Sequence, residues 1–137
     1  MRYRERLSGP LMDRVDIYLG VESLEYEEMQ SRSKAEGSSA VRARVNAARK
    51  VQLKRYAEAS IRCNAHIGAK QIEEYCGLSD ECEKLMKAAF TALSMTARSY
   101  DRILRVARTI ADLEGAESIK PPHLAEAIQY RDSMIRK

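Results

Sequence analysis

Residues 96–115 read TARSYDRILRVARTIADLEG, and this stretch decides the fold. Tyr100, Ile103, Leu104, Ala107, Ile110 and Ala111 follow one another at spacings of 3, 1, 3, 3 and 1, which places them on one face of an α-helix. Thr96 offers a side-chain oxygen to the free N–H groups of the first turn. Gly115 stands where a helix leaves through the left-handed region. The spacing therefore predicts a helix over residues 97–114 with its own start and stop.

Outward from that helix the signals stay helical. Ser79 followed by Asp80 and Glu81 predicts a helix start with acids at the positive end of the dipole. That helix is expected to run to about Leu93 and to bury Leu85, Met86, Ala89 and Phe90. Ala69 to Cys76 reads as a short helix stopped by Gly77, and Ile61 to Gly68 as a break. Ser38 or Ser39 is the expected cap of a helix reaching about Ala59, with Val41, Val45, Ala48 and Val51 as its apolar stripe. Downstream, Lys120-Pro121-Pro122 opens a last helix whose apolar positions are Leu124, Ala127 and Ile128, continuing to Tyr130. The expected fold is all-α, a compact bundle of about five helices over residues 38–137.

One segment breaks this pattern. Val15, Ile17, Leu19 and Val21 alternate with Asp16, Tyr18, Gly20 and Glu22, the period of a β-strand. A lone strand cannot satisfy its own edges. Residues 1–37 are therefore expected to be the end of a larger core plus a polar linker from residue 23, disordered or loosely attached because their sheet partners are missing.

Composition narrows the function classes. A chain of 137 residues is one domain's worth, and 45% hydrophobic with 32% charged residues describes an ordinary soluble globular protein. With no Trp and one Phe, the core falls to Ala, Leu, Ile and Val, which suits closely packed helices. No signal-peptide pattern or membrane-length apolar run is present, so a cytoplasmic location without membrane contact is expected. Cys63, Cys76 and Cys82 are odd in number and form no C-x-x-C pair, which argues against a disulfide framework and for small core hydrophobes in a reducing compartment. His66 lies near Cys63 while His123 is far off in sequence, so no metal site is expected. A net charge of +4 permits an acidic partner without requiring one.

No phosphate-binding loop, no G-x-G-x-x-G and no readable nucleophile–base pair is present, so the chain is not expected to be an enzyme by itself. Arginine placement stands out instead. Arg14 precedes the alternating segment in GPLMDRVD, and Arg98 lies in the first turn of the 97–114 helix. A helix N-terminus attracts anions and repels cations, so Arg98 does not serve helix stability there. Its guanidinium is matched to phosphate oxygens; the plainer alternative is pairing with an acid, or solvation. Upstream, VRARVNAARKVQLKRY carries Arg42 and Arg49 on one side and Lys50 and Lys54 on another. Arg44 and Arg55 project near the apolar stripe, where acids of later helices or a neighbouring subunit are candidate partners. DNA-backbone contact needs only such positive charge, and a solvated face is the plainer reading.

GPLMDRVDIYLGVE resembles the segment that closes the ATPase core of AAA+ proteins of the magnesium-chelatase-like group. SSAVRARVNAARKVQLKR, LSMTARSYDRILRVARTIADLEG and HLAEAIQYR resemble the helical lid domain of the same proteins, in particular the competence-protein ComM-like (YifB) group. Minichromosome maintenance helicases share the outline more distantly. The resemblance covers nearly the whole chain. It implies that residues 1–37 are the truncated end of an AAA+ core and that residues 38–137 are its lid. It also implies that Arg14 is an arginine finger acting on a neighbouring subunit's ATP, and that Arg98 is the sensor-2 arginine touching the γ-phosphate. Arg105, one turn beyond the Arg98–Arg102 pair, is a candidate subunit contact or a surface ion pair. Arg42, Arg44 and Arg49 are candidates for subunit or DNA contact.

The implied cofactors are ATP and Mg2+ in the parent protein, with none in this fragment. Implied partners are the upstream AAA+ core and neighbouring subunits of a homo-oligomeric ring, with DNA a candidate; the fragment alone is expected to be a monomer. The function expected is lid, oligomerisation and nucleotide-sensing domain of an ATP-driven DNA-processing motor. Alternatives are the lid of a magnesium chelatase acting in porphyrin metallation, a stand-alone helical nucleic-acid-binding domain, and a structural bundle with no ligand.

Overall fold

The computed structural model describes residues 11, 14–21, 23, 26 and 35–132. Five α-helices span its main part: α1 (Ser38–Arg55), α2 (Ile72–Tyr75), α3 (Asp80–Ala92), α4 (Ala97–Glu114) and α5 (Pro121–Asp132). Short 3₁₀ turns at Asn64–His66 and Ala69–Gln71 fill the stretch between α1 and α2.

α4 is the axis of the bundle. It packs against α5, α1, α2 and the 64–66 turn, while α3 packs on α5. Ile103, Leu104, Ala107 and Ala111 of its predicted face are buried, and Tyr100 and Ile110 pack partly buried beside them. Full burial of a residue such as Ile103 or Leu104 stabilises by about 1.5–3 kcal/mol. Met86 and Cys82 from α3, Leu124 and Ala127 from α5, and Ile67, Ile72 and Cys76 complete the core.

The predicted stops and starts around α4 are present. Thr96 Oγ1 accepts from the Ser99 N–H at 3.2 Å, and Ser79 Oγ accepts from the Cys82 N–H at 3.4 Å. Gly115 has φ +75°. Its N–H donates to Asp112 O at 3.2 Å, and the Ala116 N–H donates to Ala111 O at 2.8 Å, a Schellman ending that only an unhindered residue adopts cheaply.

A buried polar network ties α1 and the 64–66 turn to α4. Arg55 Nη1 donates to Asp112 Oδ2 at 3.0 Å, Asn64 Nδ2 donates to the same oxygen at 2.8 Å, and Arg108 Nε donates to Asp112 Oδ1 at 3.2 Å. Tyr56 OH donates to Asn64 Oδ1 at 2.6 Å. Burial pushes the Asp112 carboxyl up, but the Arg55 and Asn64 hydrogen bonds and the two guanidinium charges outweigh it and hold it below its usual range. Asp112 thus anchors the end of α1 to the centre of the domain.

Several expectations are corrected. Val15 to Val21 form no strand, and no strand occurs among the described residues. The segment lies against α4 and α5 instead, with the Tyr18 N–H donating to Tyr130 O at 3.0 Å. A ladder needs an adjacent strand edge, whereas the apolar side chains of the segment need only an apolar surface. α1 ends at Arg55 rather than near Ala59, and Gly37, not Ser38 or Ser39, precedes its first turn. Of its expected stripe only Ala48 is buried; Val41, Val45 and Val51 are exposed, as is Phe90 on α3. Cys76 and Cys82 are buried, Cys63 is half-buried, and all three are free. Burial pushes the Cys76 thiol up to about 11. The parts of the 1–37 and C-terminal readings that fall on 1–10, 12, 13, 22, 24, 25, 27–34 and 133–137 lie outside the described residues.

Candidate functional site

The N-terminal half of α4 carries Arg98 and is tied to the segment that carries Arg14. Arg98 is exposed in the first turn. One turn further, Arg102 pairs with Asp16. Asp16 is two residues from Arg14, which is exposed in a turn whose N–H donates to Leu11 O at 3.0 Å. The Asp16–Arg102 pair therefore brings the Arg14 segment to the same end of α4 that carries Arg98. Among the described residues neither the Arg14 nor the Arg98 guanidinium has a side-chain partner.

Arg131 locks this arrangement and was not picked out from the sequence. It reaches from the end of α5 and is 9% exposed. Its Nη1 donates to Val15 O at 2.9 Å, and its Nη2 donates to Ser99 Oγ at 2.8 Å. Its guanidinium carbon sits 5.6 Å from the centre of the Tyr18 ring, within cation–π range. Ser99 Oγ in turn lies 3.1 Å from the capping hydroxyl of Thr96. One guanidinium thus fixes the segment carrying Arg14 and the helix start carrying Arg98. The only sequence signal was an arginine near the end of a helix, which ordinarily reads as a favourable charge at the dipole's negative end.

Chemically, this end of α4 offers the exposed Arg98 guanidinium and a helix N-terminus, with Arg14 exposed on the segment that Asp16 ties to Arg102. An exposed guanidinium and a helix N-terminus suit binding an anion with several oxygens and stabilising its charge. The remaining sequence candidates lie elsewhere. Arg105 borders a cavity of about 450 Å³ between residues 16–19 and helices α4 and α5, and its Nε is buried without a hydrogen-bond partner among the described residues. Arg42 and Arg49 are exposed on α1, and exposed Arg44 donates to Glu36 Oε2 at 2.9 Å. Arg55, read as projecting near the apolar stripe, is bound to Asp112.

Cys63 Sγ and His66 Nδ1 lie 3.6 Å apart, and no group of three metal-binding side chains occurs among the described residues. His123 is buried at the start of α5, its Nδ1 accepting from the Lys120 N–H at 3.0 Å and its Nε2 facing Glu114, so it is part of the α4–α5 connection. No helix among the described residues is long and apolar enough to cross a membrane.

Comparison with known proteins assigns this architecture to a class. The C-terminal family of the magnesium chelatase subunit ChlI matches residues 35–131, and the magnesium chelatase subunit ChlI family matches residues 1–29. The chain belongs to the magnesium chelatase subunit ChlI C-terminal family. Within it, the chain is 41% identical over 137 residues to the competence protein ComM of Haemophilus influenzae, covering 99% of this chain and 26% of that protein. It is 37% identical over 138 residues to the protein YifB of Salmonella typhimurium, covering 96% of this chain and 25% of that relative. The Escherichia coli YifB is 36% identical over 133 residues, again covering 96% of this chain and 25% of the relative. The chain spans about a quarter of the length of the curated relatives it matches.

Proposed function

We propose that this chain is the lid and nucleotide-sensing domain of a cytoplasmic AAA+ motor that uses ATP to process DNA in competence or recombination. The observation that carries the reading is that Arg98, in the first turn of α4, and Arg14, on the segment tied to α4 by Asp16–Arg102 and by Arg131, are both exposed without a side-chain partner among the described residues. Arg98 is the sensor that touches the γ-phosphate. Arg14 is the finger presented to the ATP of a neighbouring subunit in a homo-oligomeric ring. Such an arginine neutralises charge developing on the transferred phosphoryl group and accounts for roughly 10³–10⁵ in rate. ATP and Mg2+ are held by the AAA+ core of the parent protein. The residues described here fit the anionic end of that ligand: exposed cations and a helix N-terminus suit phosphate oxygens.

Similarity to a protein named for competence favours DNA as the object of the motor. The description of the matching family favours a second reading, the lid of a magnesium chelatase whose ATPase drives porphyrin metallation. Both readings use Arg14 and Arg98 alike, and they part at the substrate.

The test is ATP hydrolysis by the full-length parent with and without DNA, beside Arg14→Ala and Arg98→Ala. Stimulation by DNA, and loss of about 10³-fold or more in both variants with ATP binding retained, supports the DNA motor. Hydrolysis indifferent to DNA but lost in both variants moves the assignment to the chelatase reading. Normal hydrolysis by both variants removes the arginine roles altogether.

A further inference from the structure

The stretch HLAEAIQYR over residues 123–131 ends in Arg131, whose hydrogen bonds leave its own helix. A cation in the last turn of a helix ordinarily stays beside that helix's free carbonyls or in water. Arg131 is buried instead, its Nη1 donating to Val15 O at 2.9 Å and its Nη2 to Ser99 Oγ at 2.8 Å. Val15 follows Arg14 in the chain, and Ser99 follows Arg98. One planar guanidinium therefore grips the residue next to each of the two exposed arginines.

The grip is firm on both sides. The Tyr18 ring lies against the guanidinium, and the Tyr18 N–H donates to Tyr130 O at 3.0 Å, so residues 15–18 meet the end of α5 at more than one point. On the other side, Ser99 Oγ is 3.1 Å from Thr96 Oγ1, and the Ser99 N–H donates to that same oxygen. The second acceptor thus belongs to the capped first turn of α4. Asp16–Arg102 also ties the segment to α4, but its side chains are 54% and 24% exposed, and salt weakens an exposed pair. The bonds from Arg131 to a carbonyl and a hydroxyl are buried and do not depend on a screened charge pair.

We propose that Arg131 is a positioning residue that couples Arg98 to Arg14, so that a phosphate drawn to Arg98 moves the segment that presents Arg14. The inference rests on the nucleotide reading of those two arginines and adds the route between them. Arg98 is joined through the chain to Ser99, Ser99 through its hydroxyl to Arg131, and Arg131 through Val15 O to the residue after Arg14. When the first turn of α4 shifts toward a phosphate, Ser99 Oγ shifts with it. A guanidinium is a rigid fork, so it either draws Val15 along or leaves a buried donor unmet, which is the costlier course. Coupling of this kind is reciprocal: seating Arg14 on a phosphate biases the first turn of α4 by the same free energy. A lysine at the same place would keep the charge without the fork.

The coupling is read first without nucleotide, by hydrogen exchange in the 137-residue chain at high salt, where Asp16–Arg102 contributes little. Ser99→Ala removes an acceptor on α4, and the readout is the Tyr18 amide on the far side of Arg131. Exchange there should quicken about fivefold or more. Arg131→Gln should quicken it too, and adding Ser99→Ala to Arg131→Gln should change nothing further, the mark of two residues acting through one contact. Should Arg131→Gln lose its fold by circular dichroism, the milder Ser99→Ala decides. In the full-length parent, Arg131→Gln should lower kcat for ATP hydrolysis about 10- to 100-fold with KM for ATP within about threefold, since a misplaced Arg14 weakens the transition state and not ATP binding. Arg131→Lys should stay impaired, whereas a merely structural Arg131 would change stability and leave kcat of the folded enzyme alone. The proposal is overturned if Ser99→Ala leaves the Tyr18 amide unchanged, if the two substitutions add, if Arg131→Gln retains wild-type kcat, or if Arg131→Lys restores it. Each of these leaves the nucleotide reading standing while Arg14→Ala and Arg98→Ala abolish hydrolysis. Normal hydrolysis by those two variants overturns the nucleotide reading itself, and the coupling with it.

Discussion

The two ends of α4 use arginine in opposite ways. At the C-terminal end Arg108 is 3% exposed and is held by three acceptors: Asp112 Oδ1, Ala116 O at 2.7 Å and Glu117 O at 2.9 Å. Arg55 joins it on the same carboxylate. A cation there also meets the negative end of the helix dipole. At the N-terminal end Arg98 meets the positive end of the dipole, faces solvent and has no partner among the described residues. The first pair of guanidiniums is consumed by the fold. Arg98 has no such use among the described residues, which is what the proposed sensor role would account for. Arg131 shows that the N-terminal end can bind an arginine inward, since it holds Ser99 Oγ and Val15 O. Exposure of Arg98 is therefore not a default of that end.

The sharpest way to break this contrast is Asp112→Ala. It leaves Arg108 and Arg55 facing each other without the carboxylate that neutralises them, and removing one partner of a buried ion pair costs about 3–5 kcal/mol. Urea unfolding should show a loss of that size. A loss under about 1 kcal/mol would mean that water or another acceptor replaces the carboxylate, and the network would not be what anchors α1. The same group sets an acid dependence. Its folded-state pKa is depressed, so its contribution is fully present above the unfolded value and is lost as pH falls through the folded value. Stability of the wild-type chain should decline below about pH 4, and Asp112→Ala should flatten that part of the profile.

How much of this was legible follows from what each signal depends on. The five helices were readable because period, caps and stops are local: Thr96, Ser79, Gly115 and Pro121 each act within a turn of themselves. The family was readable from TARSYDRILRVARTIADLEG for the same reason, being one contiguous helix with its caps. Of the Asp112 network, the pairing of Arg55 with an acid of a later helix was anticipated, whereas Asn64 and Arg108 were missed, since nothing at Asn64 announces a partner 48 positions away. Arg131 was missed likewise, as its acceptor Val15 O is 116 positions off. The α1 stripe failed in the other direction. Helical period shows which residues share a face, but whether Val41 and Val45 are covered depends on how far the bundle extends, which no window of sequence encodes.

A smaller effect sharpens the C-terminal half of the comparison. Arg108 reaches the carbonyls of Ala116 and Glu117 because the chain turns at Gly115 with φ +75°. A Cβ added at Gly115 meets nothing within 4 Å, so Gly115→Ala tests the left-handed backbone alone. It should cost about 1 kcal/mol. Gly115→Asn should cost less, because Asn tolerates that region better. Equal losses for Ala and Asn would point to the Arg108 contacts rather than to backbone strain.

The smallest expected change is the most telling for the N-terminal half. Arg98→Ala removes a cation from the positive end of α4 and substitutes the best helix former, and no side-chain hydrogen bond or ion pair among the described residues is lost. Truncating an arginine usually destabilises, but here the chain should gain about 0.3 kcal/mol or slightly more. The gain should shrink as salt screens the dipole. Arg108→Ala, measured beside it, should lose stability because Asp112 and two carbonyls are left short of a donor. Thermal melts of the two variants at low and high salt make the comparison directly. A gain for Arg98→Ala together with lost ATP hydrolysis in the parent is the signature of a residue kept for a ligand at some expense to the helix. A loss of 1 kcal/mol or more would place Arg98 in the fold with Arg108 and end the contrast between the two ends of the helix.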